Sequence, residues 1–67
     1  MYYTITRTNA DGTKTQMVSL EGQSNSEFYR EAVAAYAVVA ESRPVGTSVT
    51  LEGEDGIYIM GTNVRTS

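Results

Sequence analysis

Polar and apolar positions alternate near both ends of the chain and give way to a helical spacing between them. Tyr2 to Thr8 is built from Tyr, Thr, Ile and Arg with a period of two, a composition that suits a pleated surface and predicts a strand. Asn9-Ala10-Asp11-Gly12-Thr13 is a turn signal, with Gly12 able to take a positive φ, and Lys14 to Glu21 predicts the returning strand. Thr47 to Gly53 alternates again, with Thr47, Val49 and Leu51 on one face and Ser48, Thr50 and Glu52 on the other. Gly53-Glu54-Asp55-Gly56-Ile57 then fits a three-residue loop, a type I turn closed by a left-handed Gly56. That loop sets Leu51 opposite Ile59, Val49 opposite Gly61 and Gly53 opposite Ile57.

Side-chain faces decide the register of the first hairpin. A three-residue loop, Ala10 to Gly12, would send Val18 and Leu20 to the face away from Ile5. A four-residue loop, Ala10 to Thr13, pairs Ile5 with Val18 and Tyr3 with Leu20, and keeps the apolar set together. Because a slip of one residue flips every side chain, the expected register is the second one, or a bulge that achieves the same result. The outer face then carries Tyr2, Thr4, Thr6, Met17 and Ser19, and the second hairpin adds Tyr58 and Met60 to it.

Between the hairpins, Ser24-Asn25-Ser26-Glu27 reads as a capping box in which Ser24 and Glu27 satisfy each other's amides. A helix is expected from Glu27 to about Ser42, where Pro44 cannot continue it and biases Arg43 away from helical geometry. At about 100° per residue, Phe28, Tyr29, Ala32, Val33, Tyr36, Val39 and Ala40 share one broad apolar face. Glu27, Arg30, Glu31 and Glu41 lie opposite, around a small apolar strip of Ala34, Ala37 and Val38.

These elements assemble into an α+β fold, a two-layer ββαββ sandwich with one helix on one face of a four-stranded sheet. Tyr3, Ile5, Val18, Leu20, Val49, Leu51, Ile57 and Ile59 are expected beneath the helix. If the connection is right-handed and the first and last strands pair in the centre, the favoured order is 2-1-4-3 with a parallel central pair, and a different order of the same elements stays open. Residues 1–67 read as one domain with an ordered core from about residue 2 to residue 64, and Arg65, Thr66 and Ser67 are expected to fray. In element order and size the chain resembles the small immunoglobulin-binding domains of bacterial surface proteins G and L. That resemblance covers topology and carries no residue-level function.

Composition narrows the chemistry. The 67 residues include no Cys and no His, which removes disulfides, most metal sites and the bases that nucleophilic catalysis relies on near neutral pH. No cofactor is expected, and the reading is non-enzymatic. Lys and Arg number 5 against 8 Asp and Glu, for a net charge of -3, so phosphate backbones are repelled overall and a partner with a basic or mixed surface is favoured. Glu52, Glu54 and Asp55 cluster, yet a loop this short is a solvated turn more readily than a cation site. Met1 opens the chain without a charged leader, and no apolar run approaches the roughly 20 residues that span a bilayer. A cytoplasmic protein is expected, with no membrane partner.

The candidate binding surface is therefore the outer sheet face, with Tyr2, Thr4, Met17, Tyr58 and Met60, since Tyr and Met are enriched in interface cores. If the first and last strands are neighbours, Tyr2 and Tyr58 come within reach of each other. A secondary surface is the outer helix face, with Arg30, Ala34, Val38 and Glu41. The leading expectation is a small protein that binds and inhibits or modulates a larger protein machine, similar in size and character to the inhibitors that bacteriophages encode against host machinery, anti-CRISPR proteins among them. Its compartment would then be the host cytoplasm. The alternatives are a self-associating structural or adaptor module, with the apolar patch as a homodimer interface, and a module that stacks single-stranded nucleic acid on its tyrosines. The last would need flanking cations, for which Arg7, Lys14 and Arg65 are the candidates.

Overall fold

The alternating segments become strands and the Ala-rich segment a helix. The computed structural model describes residues 1–67 and orders the elements as β1 (Tyr2–Thr8), β2 (Lys14–Glu21), α1 (Ser26–Glu41), β3 (Ser48–Glu52), a tight turn (Glu54–Gly56) and β4 (Tyr58–Gly61). One helix packs against a four-stranded sheet of order β2-β1-β3-β4 in which every neighbouring pair is antiparallel. The α+β class and the ββαββ arrangement are as the sequence predicts. The strand order 2-1-4-3 with its parallel central pair is not: β3, rather than β4, lies beside β1. Two physical features favour the exchange. Helix α1 has to carry the chain past one strand instead of two before β3 begins. The four-residue β4 could cover little of β1, whereas β3 pairs over five positions, from Thr4 opposite Glu52 to Thr8 opposite Ser48.

The first hairpin combines both registers considered for it. Asn9 N donates to Thr13 O at 2.7 Å around a three-residue loop in which Gly12 is left-handed (φ 88°). A bulge then shifts the pairing from Thr6 opposite Gln16 to Ile5 opposite Val18 and Tyr3 opposite Leu20. Met17 is the extra residue, and it restores the apolar set to one face. The loop is braced by Asp11, whose Oδ1 accepts from Thr13 Oγ1 at 2.6 Å and from Thr13 N at 2.9 Å.

The helix begins at Ser26, one residue before the expected Glu27, and its cap lies one residue after the one the capping box predicts. Asn25, not Ser24, is the N-cap, and its Oδ1 accepts from Phe28 N at 2.8 Å; of the consecutive candidates Ser24, Asn25 and Ser26, Asn25 stands three positions before Phe28. Glu27 then falls in the first turn, where the helix dipole favours a carboxylate. At the other end, Ser42 donates from N and from Oγ to Val38 O, and Arg43 Nη1 donates to Ala40 O at 2.6 Å. The last turn is closed by side chains before Pro44 intervenes.

Between helix and sheet lies a core of Tyr3, Ile5, Phe28, Ala32, Ala40, Val49 and Leu51, in which Ile5, Val49 and Leu51 are 0% exposed. Val33, Tyr36, Val39, Val18, Leu20, Ile59 and Met60 close its margins. Two residues expected inside are exposed. Tyr29 lies at the rim, its ring edge-on to Tyr3 at 6.1 Å, and Ile57, just before β4, is open to solvent. Gly22 lets the chain pass close to Phe28: a Cβ there would stand 3.0 Å from two ring carbons, so the ring would have to give by a few tenths of an ångström. The segment after β4 continues along β3: Thr62 N donates to Val49 O, Arg65 N to Thr47 O, and Gly46 N to Arg65 O. Arg65, expected to fray, also donates from Nη1 to Arg43 O at 2.8 Å.

Leu51→Ala is expected to cost about 2–5 kcal/mol, the usual range for a fully enclosed leucine, and urea denaturation measures it. A loss below about 1 kcal/mol would mean that the helix does not seal β3. The Asp11 carboxyl is held below its usual 3.8, first by the Thr13 hydroxyl and then by the Thr13 amide. Since its pKa is depressed on folding, the contribution of this brace is present above the ordinary carboxylate range and fades as pH falls through the lowered value. Thr13→Val is expected to move the Asp11 titration upward when followed by NMR.

Candidate protein-binding surface

Antiparallel pairing fixes which side chains share the outer face. Ser19 lies opposite Thr4, Thr4 opposite Glu52 and Glu52 opposite Tyr58, so these four form one row across all the strands. The next row is Gln16, Thr6, Thr50 and Gly61. Most of the face is thus hydroxyl and amide, with Tyr2 at one end of β1 and Tyr58 on the edge strand.

Of the five residues expected to gather here, the structure leaves three on the outer face. Tyr2, Thr4 and Tyr58 alternate with or oppose residues whose neighbours are buried, as predicted. Met60 does not. A second bulge, between Leu51 and Glu52, moves Met60 opposite Leu51, and both Ile59 and Met60 pack against the core. The register that sets Ile59 opposite Leu51 is correct only at its loop end, where Gly53 N donates to Ile57 O at 2.7 Å. Met17 is 39% exposed, but as the bulge residue of β2 it lies on the edge farthest from Tyr58. Nor do Tyr2 and Tyr58 meet. With β3 between β1 and β4, they stand two strand spacings apart across the sheet, which is about 10 Å before any offset along the strands.

What the structure does concentrate is the corner where β3 turns into β4. Asp55 (φ 59°, ψ 24°) and Gly56 (φ 73°) are both left-handed, so the loop is a tighter, primed turn rather than a type I turn with Gly56 alone in that region. Asp tolerates this conformation because its short side chain can bond locally. The turn presents Ile57 and Tyr58 in succession, 64% and 65% exposed, one residue after the exposed Glu54 and Asp55. Glu52, directly opposite Tyr58, completes an acidic border. The Tyr58 ring leans over Gly61: a Cβ at Gly61 would lie 3.1 Å from the phenol oxygen and 3.3 Å from Cε2. Glu54 Oε1 is 3.3 Å from the Met1 amino nitrogen, which also donates to Gly22 O. Sequence reasoning placed Ile57 beneath the helix. Its position between the turn and β4, outside any strand, is the signal that it is exposed.

The residues named for the outer helix face are open to solvent. Arg30, Ala34, Val38 and Glu41 are all exposed, Val38 by 68%, and their spacing places them in one file along α1. Ala37, expected beside them, is half-buried. Two of the three cations considered for a nucleic-acid surface are engaged internally: Arg7 Nε donates to Asn9 Oδ1 at 2.9 Å, and Arg65 donates to Arg43 O. No group of acidic side chains is arranged to hold a metal ion. No helix is long and apolar enough to cross a membrane. No family model matches the chain, and no curated protein or solved structure matches it either.

The Tyr36 phenol, on the margin of the core, is pushed above its ordinary 10.0, first by burial and then by the nearby Tyr58 phenol, against an opposing pull from Arg43. A raised pKa of this kind lends stability that is complete below the unfolded value and is lost as pH rises through the folded one. Tyr58→Phe is expected to lower the alkaline midpoint of Tyr36 in an absorbance titration. An unchanged midpoint would show that the two rings are electrostatically independent.

Proposed function

We propose that the protein is a non-enzymatic binding protein that seats Ile57 and Tyr58 in an apolar cleft of a larger protein and modulates it by covering that surface. The observation that carries this reading is the two large apolar residues in succession at the sheet corner, each about two-thirds exposed and projecting to opposite sides of the edge, bordered by Glu52, Glu54 and Asp55. Removing an isoleucine or an aromatic side chain from water contributes about 1.5–3 kcal/mol, and aromatic residues set amid polar rims dominate interface energetics. The acidic border and the net charge of -3 favour a partner whose cleft is ringed by Lys and Arg, since complementary charge speeds encounter and sets orientation. An inhibitor of a larger machine, of the kind bacteriophages encode, fits this size and charge.

The test is affinity capture from a host lysate with the native chain and the Tyr58→Ser variant side by side, after circular dichroism has shown both to be folded. The native chain should retain a protein whose binding falls by about 30-fold or more in the variant, a hot-spot loss of about 2 kcal/mol. Equal retention by both would remove the β3–β4 corner from consideration. Glu54→Gln with Asp55→Asn should slow association and flatten its salt dependence without abolishing binding.

A further inference from the structure

The sheet ends in two edges of very different character. β4 is four residues long, bulged, and covered in part by Tyr58. β2 is eight residues long, Lys14–Glu21, with no Pro or Gly and a single Lys, and most of it is exposed. An edge of that length offers a row of free backbone donors and acceptors.

Which groups face outward follows from the bonds at the two ends of the hairpin. Met1 and Gly22 bond each other in both directions, at 3.0 and 3.1 Å. By antiparallel alternation Leu20 and Val18 then turn their N–H and C=O toward β1, while Glu21 and Ser19 turn theirs away. At the other end Asn9 N bonds Thr13 O, so Thr15 faces β1 and Lys14 and Gln16 face away. The bulge at Met17 makes the change of phase. The outward set is therefore Lys14, Gln16, Ser19 and Glu21, which is symmetric about the midpoint between Met17 and Val18.

We infer that β2 pairs antiparallel with β2 of a second copy about a twofold axis between Met17 and Val18, joining two sheets into one. In this register Lys14 of each copy lies opposite Glu21 of the other, and Gln16 opposite Ser19. No other antiparallel offset uses all four outward residues at once, and this one exchanges about eight backbone hydrogen bonds. Side-chain faces agree as well. Lys14, Gln16, Ser19 and Glu21 all lie opposite outer-face residues of β1, so the helices of both copies fall on the same side of the joined sheet. Thr15 meets Leu20, and Met17 meets Val18, extending the apolar face across the axis. Both ends of the interface carry a Lys–Glu pair, and this charge complementarity selects a second copy over an unrelated strand. The association adds cover to a chain in which only nine of 67 residues are buried, the condition in which small domains gain most from self-association.

Sedimentation equilibrium from about 1 μM to about 1 mM tests this, with dimer expected in the upper part of the range. Ser19→Pro removes an outward N–H that no internal bond uses, so it should leave the fold intact and give monomer throughout. Lys14→Glu or Glu21→Lys should each weaken the dimer by about tenfold at low salt by setting like charges opposite at both ends, and the double exchange should restore it. Should Ser19→Pro fail to fold, the charge exchange decides alone. A native chain monomeric at every concentration, a dimer that survives Ser19→Pro, or a double exchange that restores nothing overturns the pairing. Tyr58→Ser should leave the dimer unchanged, and its dissociation there would place the interface at β4 instead.

Discussion

The rest of the structure depends on helix α1 sealing the inner face of β3. Val49 and Leu51 on that strand are completely enclosed, together with Ile5 on the neighbouring β1, and the helix side chains that enclose them are small (Ala32 and Ala40) or flat (Phe28). Small residues let the helix approach closely, and an aromatic ring at its first turn fills the wider gap at one end. Thr47 and Gly53 at the ends of β3 are buried as well, so the strand is covered along its length. With no disulfide to help, a chain of this size has little stability beyond this contact.

Two bulges adjust everything else to that contact. A short loop is the natural closure for each hairpin, yet continued in phase the first loop would turn Val18 and Leu20 outward. Met17 absorbs one residue on β2, and the apolar set returns beneath the helix. On β4 the loop already presents Ile59 correctly, and the extra residue there brings Met60 inward too. The result is tighter packing at the margin of β3, with Tyr58 left alone on the outer face of its strand. Bulges also sharpen twist and unsettle pairing, which fits their positions on the two edge strands rather than on β1 or β3.

Element types, their order and the helix-facing residues of β1 and β3 were legible in the sequence because period two and the helical period are strong signals that local chemistry reinforces. Thr47, Val49 and Leu51 alternate without exception, and Pro44 ends the helix by covalent geometry. Strand order was not legible. Orders 2-1-4-3 and 2-1-3-4 bury the same alternating faces, and they differ in strand lengths and in how far the helix must cross, which only three-dimensional packing weighs. The bulges were half legible: the conflict between loop length and faces at Met17 showed that some adjustment was needed, whereas nothing near Ile59 and Met60 conflicted. That is why Met60 was expected outside and Ile57 inside. Both expectations followed from one uninterrupted ladder.

If both proposals hold, the two edges divide the work of a single small sheet. β2 and β4 are separated by β1 and β3, about 14 Å at ordinary strand spacing, so a partner seated on Tyr58 and a second copy paired along β2 do not compete for the same atoms. A joined sheet would carry its two Tyr58 corners at opposite outer ends, with both helices on one side. Binding of one corner to a multi-subunit target would then hold the other at high local concentration, which raises avidity without any new contact. A weak individual contact of two side chains would suffice under those conditions. The thin core and the sparse apolar surface are thus mutually consistent: a chain that buries little within itself retains edges and side chains with which to bury more against others.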